Sequence, residues 1–87
     1  MTLRFEIRFD PYARRALDTI DKAPRRRILE RIAALADDPR PAGVVMLRGR
    51  HGDLRLRVGD YRVIYTVDDA ILLVLVIDLG HRRDIYT

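Results

Sequence analysis

Residues 53–67, DLRLRVGDYRVIYTV, constrain the fold more than any other stretch of the chain. Two alternating runs flank Gly59-Asp60, which reads as a two-residue turn, although Gly-then-Asp is a weaker signal than Asn-Gly. A turn that tight sets Val58 opposite Tyr61, Arg57 opposite Arg62 and Leu56 opposite Val63. Side chains alternate across a strand, so this register sorts every residue onto one of two faces. One face collects Leu54, Leu56, Val58, Tyr61, Val63 and Tyr65. The other collects Asp53, Arg55, Arg57, Arg62, Ile64 and Thr66. Directly opposed like charges, such as Arg57 and Arg62, destabilise a strand pair by several tenths of a kcal/mol, on the order of half a kcal/mol. An anionic partner would offset that cost.

The remaining elements follow from period and punctuation. Residues 3–9 alternate Leu3, Phe5, Ile7 and Phe9 with charged residues, as a half-buried strand does. Asp10-Pro11 predicts a helix start, with Ala13, Ala16, Leu17 and Ile20 at helical spacing. Residues 21–24 break that helix and begin a second, whose buried stripe is Ile28, Ile32, Leu35 and Ala36. The run DPRP at 38–41 ends it. Residues 44–47 read as a short strand and 48–52 as a basic loop. Asp68-Asp69-Ala70 forms a further turn, and the apolar run 71–79 is predicted as the centre of the sheet, interrupted by Gly80. The order is β-α-α-β-β-β-β. The expected architecture is α+β, one small domain over residues 1–87, with a helical hairpin on one face of a mostly antiparallel sheet. In that arrangement the arginine face stays open.

Composition narrows the chemistry. The 87 residues suffice for one modest core. Cysteine, serine, asparagine, glutamine and tryptophan are all missing, which excludes disulfides, thiolate metal sites and a serine nucleophile. The net charge is +4, and the sequence pI is near 10.1. A basic, arginine-dominated surface suits phosphate or carboxylate partners, because guanidinium binds both bidentately. The charged, alternating N-terminus is unlike a signal peptide, and the apolar run 71–77 is too short to cross a bilayer. A cytoplasmic protein with no membrane association is expected.

The candidate site is the cluster Arg55, Arg57 and Arg62, read as a phosphate- or carboxylate-binding surface rather than a solvated sheet face. The tail GHRRDIY would bring His81, Arg82, Arg83 and Tyr86 to an edge of the same sheet. His81 is the imidazole of that tail, the side-chain type suited to proton transfer near neutral pH. Arg48, Arg50 and His51 in the basic loop are candidates for backbone-phosphate contacts, and Arg25–Arg27 and Arg31 are either a solvated helix face or salt-dependent contacts to nucleic acid. The spacing of ligating side chains matches no metal site, and no cofactor motif is present.

The segment LRLRVGDYRVIYTVDDAILLVLVIDLGHRRDIY resembles the C-terminal half of the RelE/ParE superfamily of toxins from type II toxin–antitoxin pairs, and is most similar to the RelE branch. The resemblance implies a toxin that binds in the ribosomal A site and cuts mRNA there without a metal, a ribose 2′-OH attacking the adjacent phosphate. On the matching residues it implies that Arg55 and Arg62 hold the phosphate. Arg82 would stabilise transition-state charge, Tyr86 would stack on or orient the substrate, and either His81 or Tyr86 would handle the proton. Arg57, Arg48, Arg50, His51 and Arg83 would bind RNA. The implied protein partner is a cognate antitoxin laying a carboxylate-rich segment over the basic face in a hetero-oligomer. One departure stands out: RelE carries lysines on the strand before the turn, where this chain has Asp53 and Arg55, and arginine stays charged above pH about 12 and is a poor general base. The alternatives are a ParE-like inhibitor of DNA gyrase and a non-catalytic module binding RNA or protein.

Overall fold

The computed structural model describes residues 3–49 and 52–81. Its elements are β1 (Glu6–Phe9), α1 (Pro11–Asp18), α2 (Lys22–Ala34), β2 (Val45–Met46), β3 (Leu54–Val58), β4 (Tyr61–Asp68) and β5 (Leu73–His81). The five strands form one sheet in the order β1-β5-β4-β3-β2. All neighbours are antiparallel except β1 and β5, which run parallel. The predicted α+β architecture is therefore the observed one, with β4 rather than β5 in the middle position.

The hairpin register is the predicted one, from Leu54 opposite Tyr65 to Val58 opposite Tyr61. The turn succeeds because Gly59 takes φ 60° while Asp60 does not enter the left-handed region. A positive φ at the first central position alone is the pattern of a type II′ turn, which places glycine first. Leu54, Leu56, Val58, Val63 and Tyr65 are all buried against the helices, with Ala13, Leu17, Ile20, Ile28, Ile32 and Leu35 facing them. Asp10 caps α1, its carboxylate accepting from the Tyr12 N–H at 2.9 Å. The second helix begins at Lys22, within the predicted 21–24 break, and Pro24 sits in its first turn, where proline is tolerated. β1 is shorter than predicted: the Phe5 N–H donates to the Ala36 carbonyl at the end of the helical layer, 2.8 Å away, and Leu3 stays exposed.

β5 departs most from expectation. It continues through Gly80 to His81 instead of stopping at Leu79. Its pairing with β4 shifts between Ile64 and Tyr65: Ile64 faces Asp78, whereas Tyr65 faces Val76. Ile77 is thus an extra residue, a β-bulge that reverses the alternation of everything after it. Val74 and Val76 point into the core before the bulge, and Leu79 does so after it. Without the shift, Asp78 would have to enter the core and Leu79 would leave it.

The end of α2 is fastened to the sheet by two polar contacts. The Tyr65 hydroxyl, on a fully buried residue, donates to the Pro39 carbonyl at 2.7 Å. The Arg40 guanidinium forks onto Asp69 at 3.1 and 2.8 Å, which lowers the Asp69 carboxyl pKa and raises that of Arg40. Burial pushes the Tyr65 phenol up to about 12, with Arg40 acting in the opposite sense.

Tyr65→Phe is expected to lower unfolding stability by about 1 kcal/mol in urea titrations near neutral pH, through loss of the hydroxyl–carbonyl bond. The phenol is held neutral in the fold, with a pKa raised from 10.0 to about 12. Its contribution is therefore complete below pH 10 and is lost as pH rises towards 12. Paired denaturation curves should show the native chain losing on the order of 1–2 kcal/mol more than Tyr65→Phe across that window.

Candidate nucleic-acid interface

The face of the sheet turned away from the helices carries the arginine cluster. Arg57 and Arg62 are direct cross-strand partners, and Arg55 pairs with Ile64. Arg57 is exposed, with its Nε 3.4 Å from the Gly59 carbonyl, a long contact that keeps its base near the turn. Arg55 and Arg62 are half-buried, and the Nε of Arg62 is out of reach of solvent. The residue behind this arrangement is Ile64. Although on the outer face, it is only 1% exposed and lies outside the main core cluster. The register places Arg55 and Asp78 on either side of it, with Arg62 and Thr66 two residues away along its own strand. The outer face is therefore not the fully open surface expected from sequence. It has a small apolar centre, ringed by charged side chains whose stems can lie along apolar surface while their heads reach water.

The bulge brings two further residues to this face. Gly80 is the cross-strand partner of Arg62, and Asp78 is that of Ile64. Gly80 sets no side chain opposite Arg62. Asp78 sets a carboxylate next to the cluster. Sequence reading passed over both, treating Gly80 as a break. The available signal was an acidic residue followed two positions later by glycine at the end of an otherwise apolar run.

His81 lies elsewhere. It is the register partner of Tyr61, whose ring it meets edge-on at 5.6 Å and 81°. The two belong to the helix-side face, where they border a cavity of about 330 Å³ with Tyr12, Thr19 and Asp21. His81 and the arginine cluster thus occupy opposite faces of the sheet, so the expectation that the tail histidine joins the cluster is corrected by the bulge. Arg48 is exposed just after β2, at the end of β3 remote from Gly59. Arg50, His51, Arg82, Arg83 and Tyr86 lie outside the described residues.

Chemically, Arg55, Arg57 and Arg62 offer planar, permanently charged donors that match phosphate and carboxylate oxygens, but no group able to accept a proton. Among the described residues no group of three or more His, Cys, Asp or Glu side chains is placed to hold a metal ion. No helix there is long and apolar enough to cross a membrane.

Residues 7–86 match the family model described as the ParE toxin of the type II toxin–antitoxin system, parDE. The chain is 30% identical over 83 residues to Toxin RelG of Mycobacterium tuberculosis, covering 94% of this chain and 95% of that protein. Its fold superposes with a TM-score of 0.80 on the archaeal RelE–RelB complex of Pyrococcus horikoshii, at 31% identity and with 91% and 96% of the two chains covered. The M. tuberculosis toxin–antitoxin complex RelBE2 gives a TM-score of 0.82 at 25% identity, with 94% and 95% covered. A helical hairpin over a five-stranded sheet, an arginine-bearing hairpin and a match over nearly the whole length agree: the chain belongs to the RelE/ParE family of type II toxin–antitoxin toxins.

Proposed function

We propose that this toxin is a ribosome-dependent mRNA endonuclease of the RelE type. The observation that carries the reading is the arginine cluster itself, three guanidiniums on one small sheet face, two of them opposed and one set against a glycine. Such a face is unfavourable alone and becomes favourable once an oligoanion bridges it. In the reaction, the ribose 2′ oxygen forms a bond to the adjacent phosphorus as its proton leaves. The bond to the 5′ oxygen of the next nucleotide breaks, and that oxygen is protonated, leaving a cyclic phosphate and a free 5′-OH. Charge grows on the phosphorane oxygens, which Arg55 and Arg62 hold and Arg82 stabilises. Tyr86 stacks on or orients the substrate and handles the proton, a role that the helix-side position of His81 takes from the histidine. Arg57, Arg48, Arg50, His51 and Arg83 bind the flanking RNA. No metal takes part. The site works in the cytoplasm, in the ribosomal A site, and a cognate antitoxin covers the basic face, in keeping with the toxin–antitoxin complexes to which the fold is similar.

A second reading, inhibition of DNA gyrase, is favoured by the ParE description of the matching family model. The two part company in cells induced for this chain without its antitoxin. New mRNA 5′ ends within A-site codons of translating ribosomes are expected, reduced roughly 10²-fold or more in Arg62→Ala. Growth arrest with no such ends would move the target to gyrase, and undiminished cleavage by a folded Arg62→Ala chain would remove Arg62 from the site.

The cluster also predicts a trade between stability and binding. Arg57→Thr relieves the Arg57–Arg62 repulsion and places a good strand former on an exposed position. It should raise the urea midpoint, equivalent to several tenths of a kcal/mol, about half a kcal/mol, while weakening RNA binding. A lowered midpoint would show that the opposed arginines do not strain the hairpin.

A further inference from the structure

β2 shields only part of β3. Its two residues pair with Leu54 and Arg55, so among the described residues no strand lies beside 56–58 on that edge. The chain leading into β2 turns sharply, the Val44 N–H approaching the Pro41 carbonyl at 3.3 Å, with Gly43 at φ 90°. Between this turn and the bare edge of β3 opens a cleft of about 550 Å³. Leu56 and the glycines at 43 and 59 line it, and Arg31, Arg57 and Asp60 bring it their charges. Arg31 comes from the last turn of α2 and Arg57 from the sheet, so two arginines on separate elements line one opening. Neither forms an ion pair among the described residues, with Asp60 or with any other carboxylate.

We infer that this cleft is a second phosphate subsite, which takes a backbone phosphate of the single-stranded RNA whose scissile phosphate lies on the Arg55–Arg62 face. The inference rests on the endonuclease reading and extends it by giving the strand a direction. From the outer face the RNA passes the hairpin turn and the open edge of β3 towards α2. Arg57 stands at the junction, on the outer face and at the rim of the cleft together. Arg31 is the new member. It acts from the helical layer, which otherwise contributes nothing to the outer face. Asp60 limits the site, since its carboxylate repels a phosphate seated between the arginines and holds the occupancy to a single weakly bound group. A carboxylate-bearing peptide could be held by the same arginines, but the continuity of the cleft with Arg57 and the outer cluster favours the nucleic-acid backbone.

The test is salt-dependent binding of a short, fluorescently labelled single-stranded oligoribonucleotide to the purified chain, followed by anisotropy. Each phosphate neutralised on a single strand contributes about 0.7 to the slope of log affinity against log salt. Arg31→Ala should weaken binding and flatten the slope by about that amount, Arg31→Lys should restore the slope, and Asp60→Asn should tighten binding. An unchanged slope in Arg31→Ala beside a flattened one in Arg62→Ala would overturn the subsite and leave the endonuclease reading standing. Loss of slope in Arg31→Ala for an oligoglutamate peptide but not for RNA would reassign the cleft to an acidic partner and overturn it too. Failure of the native chain to bind the oligoribonucleotide at low salt would overturn the subsite, while the endonuclease reading stands or falls on the mRNA 5′ ends in induced cells.

Discussion

The register of the β3–β4 hairpin is the constraint on which the rest depends. A slip of one residue would carry Leu54, Leu56, Val63 and Tyr65 out of the core and drive Arg55, Arg57 and Arg62 into it. Burial of guanidiniums without partners costs several kcal/mol each, so the alternative is closed. The type II′ turn at Gly59 makes the register local, and the helical layer makes it permanent, because Leu54, Leu56, Val58, Val63 and Tyr65 are buried there and Tyr61 is partly so. The same register then has no choice but to gather the arginines on the other side. A stable core and a strained, cationic outer face are two consequences of one alternation.

The helical layer is held where it can do this by the short segment after α2. The Tyr65–Pro39 hydrogen bond reaches out from the buried centre of β4, and the Arg40–Asp69 fork closes over the β4–β5 turn. The fork is exposed, and exposed pairs of this kind contribute little on their own. The phenol matters more, since burial leaves it few alternatives to the Pro39 carbonyl. Core packing and this single polar tether together explain why a chain of 87 residues can keep one sheet face free for charge.

Much of this was legible in the sequence, for definite reasons. Alternation named both faces of the hairpin residue by residue, because a period of two leaves no freedom once the turn length is known. Asp10-Pro11 marked the start of α1, and Ile28, Ile32 and Leu35 marked the buried stripe of α2. The resemblance carried by RVGDYRVIY and GHRRDIY pointed to the toxin family that the full-length match then established. Two features escaped. Ile64 counts as an outward residue by parity, yet it is buried between the cross-strand neighbours Arg55 and Asp78, which parity alone does not reveal. The bulge at Ile77 escaped as well, since residues 71–77 are apolar at every position and only Asp78 and Gly80 beyond them mark the change of face.

The sequence by itself determined the strand–helix order, the faces of the hairpin, the absence of thiol and serine chemistry, and a concentration of arginine that suits an anionic target. Only the tertiary structure decided which side of the sheet the end of β5 serves. Strict alternation from Val74 and Val76 would have sent His81 to the arginine face and Asp78 and Gly80 to the core. The extra residue at Ile77 reverses this: His81 turns to Tyr61 on the helix side, and Gly80 stands opposite Arg62. The physical reason is that a carboxylate cannot share the core with Val63 and Val76, whereas Leu79 gains by entering it. That exchange is settled between strands brought together in space, and the local pattern of either strand does not contain it.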